Sequence, residues 1–164
     1  MAELVFVKLG GSVITEKQTY QTPRLEVIER AAREIAAARA ERPDLRLLLG
    51  HGSGSFGHPE AARYRVRDGC GEKWIGYAAT SAAAARLNRL VTDALLAEAL
   101  PVVSVQPSAS ARCRDGQLVS LDDGVIETLL AHGTVPLVYG DVALDDVRGC
   151  TIVSTEQLFA HLAR

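Results

Sequence analysis

An apolar run, Leu45-Arg46-Leu47-Leu48-Leu49, passes into His51-Gly52-Ser53-Gly54-Ser55-Phe56-Gly57-His58 and then into Pro59-Glu60-Ala61-Ala62-Arg63-Tyr64. No other stretch restricts the possible folds so strongly. The run reads as a buried strand, and the last segment as the first turns of a helix. A strand, a glycine turn and a helix start make an anion site. Glycine lets backbone N–H groups approach a phosphate closely, and the helix N-terminus adds partial positive charge. Two histidines bracket the turn, and each can donate a hydrogen bond to an oxyanion. Lys8-Leu9-Gly10-Gly11-Ser12 has the same character nearer the N-terminus. Two such loops on neighbouring strands point to two phosphorylated ligands meeting head to head.

The order of elements predicts an α/β fold. Residues 4–7 are β-branched and aromatic, a first strand buried on both faces. Thr22 suits an N-cap and Pro23 a first helical position. From there Leu25, Ile28, Ala32 and Ile35 recur at helical spacing until Pro43-Asp44 breaks the pattern. Strand, helix and second strand form a βαβ unit, hence a parallel sheet. Residues 65–73 are polar, hold Gly69 and Gly71, and predict a mobile loop that could serve as a lid. Residues 77–99 predict a long helix with Leu87, Leu90, Val91, Ala94 and Leu95 on its inner face. A strand at 102–105, a hairpin around Asp115-Gly116, and a short helix capped by Asp122 or Asp123 follow. Then come a strand at 135–139, a hairpin turning at Arg148-Gly149, and a last helix at 155–163. The expected fold is one domain over residues 1–164, a mostly parallel open sheet with helices on both faces.

Composition narrows the function. The 164 residues suffice for one domain with a sizeable core. A net charge of −2 gives no electrostatic case for nucleic acid or an anionic membrane. No apolar run approaches membrane-spanning length, and the N-terminus reads as a strand rather than a signal peptide. Cys70, Cys113 and Cys150 are far apart and odd in number, without metal-ligand spacing. They predict reduced thiols, a cytoplasmic protein and no metal site.

Each motif has a plainer alternative. Gly52, Gly54 and Gly57 satisfy G-x-G-x-x-G, the dinucleotide fingerprint. It sits on the second βαβ unit, however, and Glu72 falls in a loop rather than ending the next strand. No P-loop pattern exists. His58 alone would be a structural histidine, but the preceding glycines favour a phosphate role. His51 ends a strand and reads as structural, while His132 and His161 read as surface residues. Lys8 beside Gly10-Gly11-Ser12 favours phosphate over a snorkelling strand end. Lys17 by itself reads as a solvated loop charge. Asp122-Asp123 and Asp145-Asp146 are explained more cheaply by capping and turns than by acid–base work. The run Ala82-Ala83-Ala84-Ala85 reads as close helix packing, with room for an apolar ligand tail as the less favoured alternative.

Lys8-Leu9-Gly10-Gly11-Ser12-Val13-Ile14-Thr15-Glu16-Lys17 resembles the opening of the amino acid kinase superfamily. The stretch 51–58 narrows the resemblance to the isopentenyl phosphate kinase family, with similar motifs at Tyr139-Gly140-Asp141-Val142 and Ile152-Val153-Ser154-Thr155-Glu156. Fosfomycin kinase shares the lysine–glycine loop and the glycine–histidine stretch. The resemblance implies a three-layer α/β/α fold and transfer of the ATP γ-phosphoryl group to isopentenyl phosphate. It further implies ATP and Mg2+ as cofactors and a homodimer as the assembly. In that scheme Lys8 and Lys17 neutralise the transferring group, and Gly10, Gly11, Ser12 and Gly54 hold the nucleotide phosphates. His58 and Ser53 meet the acceptor phosphate, Gly140 approaches the acceptor closely, and Asp141 orients the lysines. The acceptor is already an oxyanion, so positioning and charge stabilisation suffice without a general base.

Two departures carry expectations of their own. Ser53 stands where the family has glycine or alanine, and Glu156 where it has aspartate. The family's second half, with the adenine and ribose pocket and a further lysine, has no counterpart before Arg164. The chain is therefore expected to be the phosphate-acceptor half, inactive and self-associating alone.

Overall fold

In the computed structural model, residues 3–72 and 74–164 are described. Lys73, the end of the loop expected at 65–73, lies outside them. Four strands form a wholly parallel sheet in the order β1 (Leu4–Leu9), β2 (Arg46–His51), β6 (Val135–Tyr139), β3 (Val102–Ser104). A second, mixed sheet runs β5 (Gln117–Ser120), β4 (Arg112–Arg114), β7 (Asp141–Asp145), β8 (Gly149–Val153). Its two antiparallel pairs, β4–β5 and β7–β8, are the two expected hairpins. The α/β class and the mostly parallel main sheet agree with the sequence.

The strands alternate between two cores. Leu47 and Leu49 of β2 and Val135 and Leu137 of β6 face one side. There they pack on Ile28 and Ala32 of α2 (Leu25–Glu41) and on Leu87, Val91 and Leu95 of α4 (Trp74–Ala97). Leu48 and Val138, one residue out of phase, face the other side. There they meet Ile126 and Leu130 of α5 (Gly124–Ala131) and Leu158 of α6 (Thr155–Leu162). Period-two side chains on a strand buried on both faces require this division. Ser154 begins α6 with a complete capping box closed by Gln157.

Several expectations are corrected. Thr22 does not cap α2, which starts at Leu25. The Arg24 N–H donates to Ile14 O and the Glu16 N–H to Thr22 O, so Thr15 and Pro23 pair as a short antiparallel bridge. The helix after the second strand does not begin at Pro59; α3 spans Gly54–Tyr64 and takes in most of the glycine stretch. Pro59 lacks the N–H that would have paired with Ser55 O, and the Gln21 N–H takes that carbonyl instead at 3.0 Å. The proline is thereby admitted inside the helix.

The expected mobile loop is anchored. Its residues Val66–Asp68 form a 3-10 turn, with Val66 buried. Cys70 is disulfide-bonded to Cys150 of β8, which overturns the expectation of three reduced thiols. Thr151 Oγ1 and the Arg148 guanidinium both donate to Arg67 O. Only Cys113 remains a free thiol, and burial pushes it up to about 11. Asp145 bears out the turn reading. Burial works against its carboxylate, but N–H groups of Asp115, Gly116, Val147 and Arg148 outweigh that and hold its pKa below the usual range. Asp123 occupies the N-cap of α5 without a side-chain capping bond.

Candidate active site

The carboxyl ends of three parallel strands finish on one rung. Leu9 pairs with His51, and His51 pairs with Tyr139. The residues that follow are Gly10, Gly52 and Gly140. Backbone bonds carry the rung one step further: the Gly52 N–H donates to Leu9 O at 3.1 Å, and the Gly140 N–H to His51 O at 3.0 Å. Open α/β sheets bind ligands at this edge, outside the carboxyl ends of their strands.

The two glycine loops touch. A Cβ on Gly11 would lie 2.6 Å from Gly54 N, and one on Gly52 would lie 2.9 Å from Gly11 N. Gly54 also needs its positive φ of 48°. Thr15 joins the loops, with its hydroxyl donating to Gly11 O and accepting from the Ser55 N–H. Gly10 begins the four-residue helix α1 (Gly11–Ile14), so Gly11 and Ser12 present first-turn N–H groups lacking intrahelical acceptors. Such a cradle, in which Cβ atoms would fill the space, fits nucleotide phosphates.

A cleft of about 460 Å³ opens beside this junction. Ser53, Gly57, His58, Gly140 and Asp141 line one part of it, and Ala61, Ala62, Ala84 and Ile152 supply apolar lining. Thus His58, Ser53, Gly140 and Asp141, four of the residues singled out from sequence, share one cavity. His58 is exposed there, in the second turn of α3 rather than at its start. The alanine run divides as its spacing requires: Ala83 and Ala84 are buried, and Ala84 also borders the cleft.

Other candidate residues are arranged differently from expectation. Asp141 touches no lysine among the described residues. Its carboxylate accepts from the Ser108 and Val142 N–H groups, while burial raises its pKa. The carboxylate beside Lys8 is Glu156, and their ion pair lowers the Glu156 pKa. Lys17 is exposed on the loop after α1 and makes no hydrogen bond or ion pair among the described residues.

Sequence reasoning missed two features of the cleft. Arg65, Arg67 and Asp68 of the anchored loop line it, held against β8 by contacts between distant residues that leave no local signal. The second is the buried network around His51. Its Nδ1 lies 3.0 Å from Gly52 O, its Nε2 lies 3.2 Å from Asn88 Nδ2, and its ring stacks on Tyr139 with centroids 5.4 Å apart. Burial lowers the His51 pKa to about 4, so the ring is neutral at neutral pH.

A parallel sheet with two glycine loops and a lysine at its carboxyl edge makes an α/β fold suited to phosphate groups. The chain belongs to the amino acid kinase family, whose model matches residues 3–164. It is 39% identical to the isopentenyl phosphate kinase of Methanothermobacter thermautotrophicus, over 98% of this chain and 62% of that one. It is 32% identical to the isopentenyl phosphate kinase of Methanocaldococcus jannaschii, over 98% of this chain and 64% of the relative. Among solved structures, an isopentenyl phosphate kinase superposes with a TM-score of 0.91 at 38% identity, covering 98% of this chain and 67% of the other. The product complex of the Thermoplasma acidophilum enzyme gives a TM-score of 0.83 at 30% identity, covering 96% of this chain and 64% of that one. The chain thus spans 62% to 64% of the length of these two curated relatives.

Proposed function

We propose that this chain belongs to an isopentenyl phosphate kinase, moving the γ-phosphoryl group of ATP onto isopentenyl phosphate. The observation that carries the reading is the shared cleft. His58, Ser53 and Gly140 surround its polar part, and Ala61, Ala62, Ala84 and Ile152 offer apolar lining for a short hydrocarbon tail. The curated relatives support the choice of substrate.

In this reading His58 holds the acceptor phosphate by a charge-assisted hydrogen bond, and Ser53 and Gly54 lie between donor and acceptor. Lys8 leaves Glu156 to neutralise charge on the transferring group, and Lys17 reaches the same oxygens from its loop. Gly10, Gly11 and Ser12 donate N–H groups to nucleotide phosphates. Asp141, tied to Ser108 and Val142, keeps the Gly140 turn against the acceptor. Bound ATP supplies the phosphoryl group, with Mg2+ held mainly by its phosphates and water. The proposal gives residues 1–164 the phosphate-acceptor part of the fold and leaves the adenine and ribose contacts outside them. It includes a homodimer, while the Cys70–Cys150 bond withdraws the thiol argument for the cytoplasm.

A coupled ADP-release assay tests the reading in the natural full-length protein, with isopentenyl phosphate and fosfomycin side by side. Turnover with isopentenyl phosphate is expected. Turnover with fosfomycin alone overturns the substrate, and turnover with neither overturns the activity.

A further inference from the structure

The strand-end histidine does more than fill the core. His51 is fully buried, yet both ring nitrogens are engaged, and the partners fix which one carries the proton. Asn88 Oδ1 accepts from Ser104 Oγ at 2.5 Å, while the Thr92 hydroxyl donates to the Asn88 backbone carbonyl at 2.8 Å. That leaves its amide nitrogen facing His51 Nε2 at 3.2 Å. An amide nitrogen only donates, so Nε2 must be the lone-pair nitrogen. The proton then sits on Nδ1, 3.0 Å from Gly52 O. Two contacts to the His51 carbonyl, from Thr155 Oγ1 at 2.7 Å and Gly140 N at 3.0 Å, hold the same residue's backbone.

A trans peptide unit directs its C=O and N–H in opposite senses. Fixing the Gly52 carbonyl toward the buried ring therefore turns the Ser53 N–H away from the core. That N–H has no acceptor among the described residues, and Ser53 lines the cleft together with His58 and Gly140. Gly52 cannot hold this orientation by itself, because glycine ranges freely over φ and ψ.

We propose that His51 is a positioning residue: Asn88 holds it as the Nδ1–H tautomer, Nδ1–H fixes the Gly52 carbonyl, and the peptide so fixed presents the Ser53 N–H to a phosphate in the cleft. A preorganised N–H of this kind stabilises developing phosphate charge without rearranging during the reaction. The identity of the phosphate rests on the proposed function, whereas the clamp does not.

Nitrogen-15 NMR of the whole chain tests both parts. Long-range imidazole spectra of the wild type report the tautomer without any ligand and need no variant to fold. A protonated Nδ1 and a bare Nε2 are expected across neutral pH; the opposite tautomer overturns the proposal. The Ser53 amide shift is then followed in separate titrations with isopentenyl phosphate and inorganic phosphate, for wild type, His51→Asn and His51→Gln. Asparagine carries an N–H at the position of Nδ1, and glutamine carries one at the position of Nε2 but matches histidine better in length. The clamp predicts that His51→Asn binds within about threefold of wild type while His51→Gln weakens roughly tenfold or more. Equal or better binding by His51→Gln reveals a packing role and overturns the proposal. A Ser53 response to inorganic phosphate but not to isopentenyl phosphate overturns the functional reading, leaving the Asn-over-Gln ranking to decide the clamp. No Ser53 response to either anion overturns the clamp's purpose.

Discussion

Lys8, the penultimate residue of β1, is ion-paired with Glu156 in the first turn of α6, 148 residues away. The pair depresses the Glu156 carboxyl, first through the hydrogen bond from Lys8. A depressed carboxyl adds stability above its unfolded pKa and loses it as pH falls through the lowered folded value. The Glu156 side chain is 65% exposed, so the pair contributes at most about 1 kcal/mol. Urea unfolding should therefore show Glu156→Gln costing less than about 1 kcal/mol at neutral pH, with the difference vanishing below the carboxylate range. A larger loss that persists in acid would contradict a surface pair. So small a tether agrees with the proposal that Lys8 leaves Glu156 for phosphate.

Asp145 gives the opposite magnitude. Four backbone N–H groups, from both hairpin turns, converge on one buried carboxylate. Asp145→Ala should cost about 1–3 kcal/mol, since it removes four hydrogen bonds to one charged acceptor at once. Asp145→Asn should fall between the two, keeping a single acceptor oxygen. The carboxyl is depressed, so its contribution is present above the ordinary carboxylate range and lost as pH drops through the lowered value. Chemical unfolding across that range reads the effect; equal stability of wild type and Asp145→Ala at neutral pH would refute it.

The Cys70–Cys150 bond closes a loop of 80 residues. Chain entropy puts its stabilising effect at about 4.5 kcal/mol. Dithiothreitol should lower the melting temperature by several degrees, Cys150→Ser should reproduce the loss, and that variant should no longer respond to the reductant. Thiol titration of the denatured, unreduced protein should find Cys113 alone. Three titrating thiols would remove the bond from the account.

Two glycines separate close approach from backbone strain. A Cβ at Gly11 would strike the Gly54 backbone at 2.6 Å, where nothing flexible can yield. At Gly71, with φ of 50°, it would meet nothing within 4 Å. Gly71→Ala should therefore cost only the left-handed penalty, about 1–2 kcal/mol, and leave phosphate binding intact. Gly11→Ala should separate the two loops and weaken phosphate binding as well. Similar binding by both variants would show that loop contact does not matter.

Features written in local sequence were readable before the structure: strand ends, hairpin turns, the inner face of α4 and the glycine loops. What escaped was chemistry between distant residues. Pro59 resembles a helix start because proline favours the first turn, and only the Gln21–Ser55 bond shows why it lies farther in. Cys70 meets Cys150, and His51 meets Asn88, through tertiary packing that no spacing encodes. Asp141 was expected beside a lysine on motif grounds alone. Its neighbours proved to be backbone N–H groups, and Glu156 took the lysine.

The central claim is that His58, Ser53 and Gly140 receive the phosphate of a short prenyl chain, and calorimetric titration tests it most directly. Wild type and His58→Ala are each titrated with isopentenyl phosphate and with isopentenol, which lacks the phosphate. Wild type should bind the phosphate ester and not the alcohol. His58→Ala should bind the ester roughly tenfold more weakly or worse, through loss of one charge-assisted hydrogen bond. Equal affinity of the two proteins for isopentenyl phosphate, or equal affinity of wild type for ester and alcohol, would contradict the account.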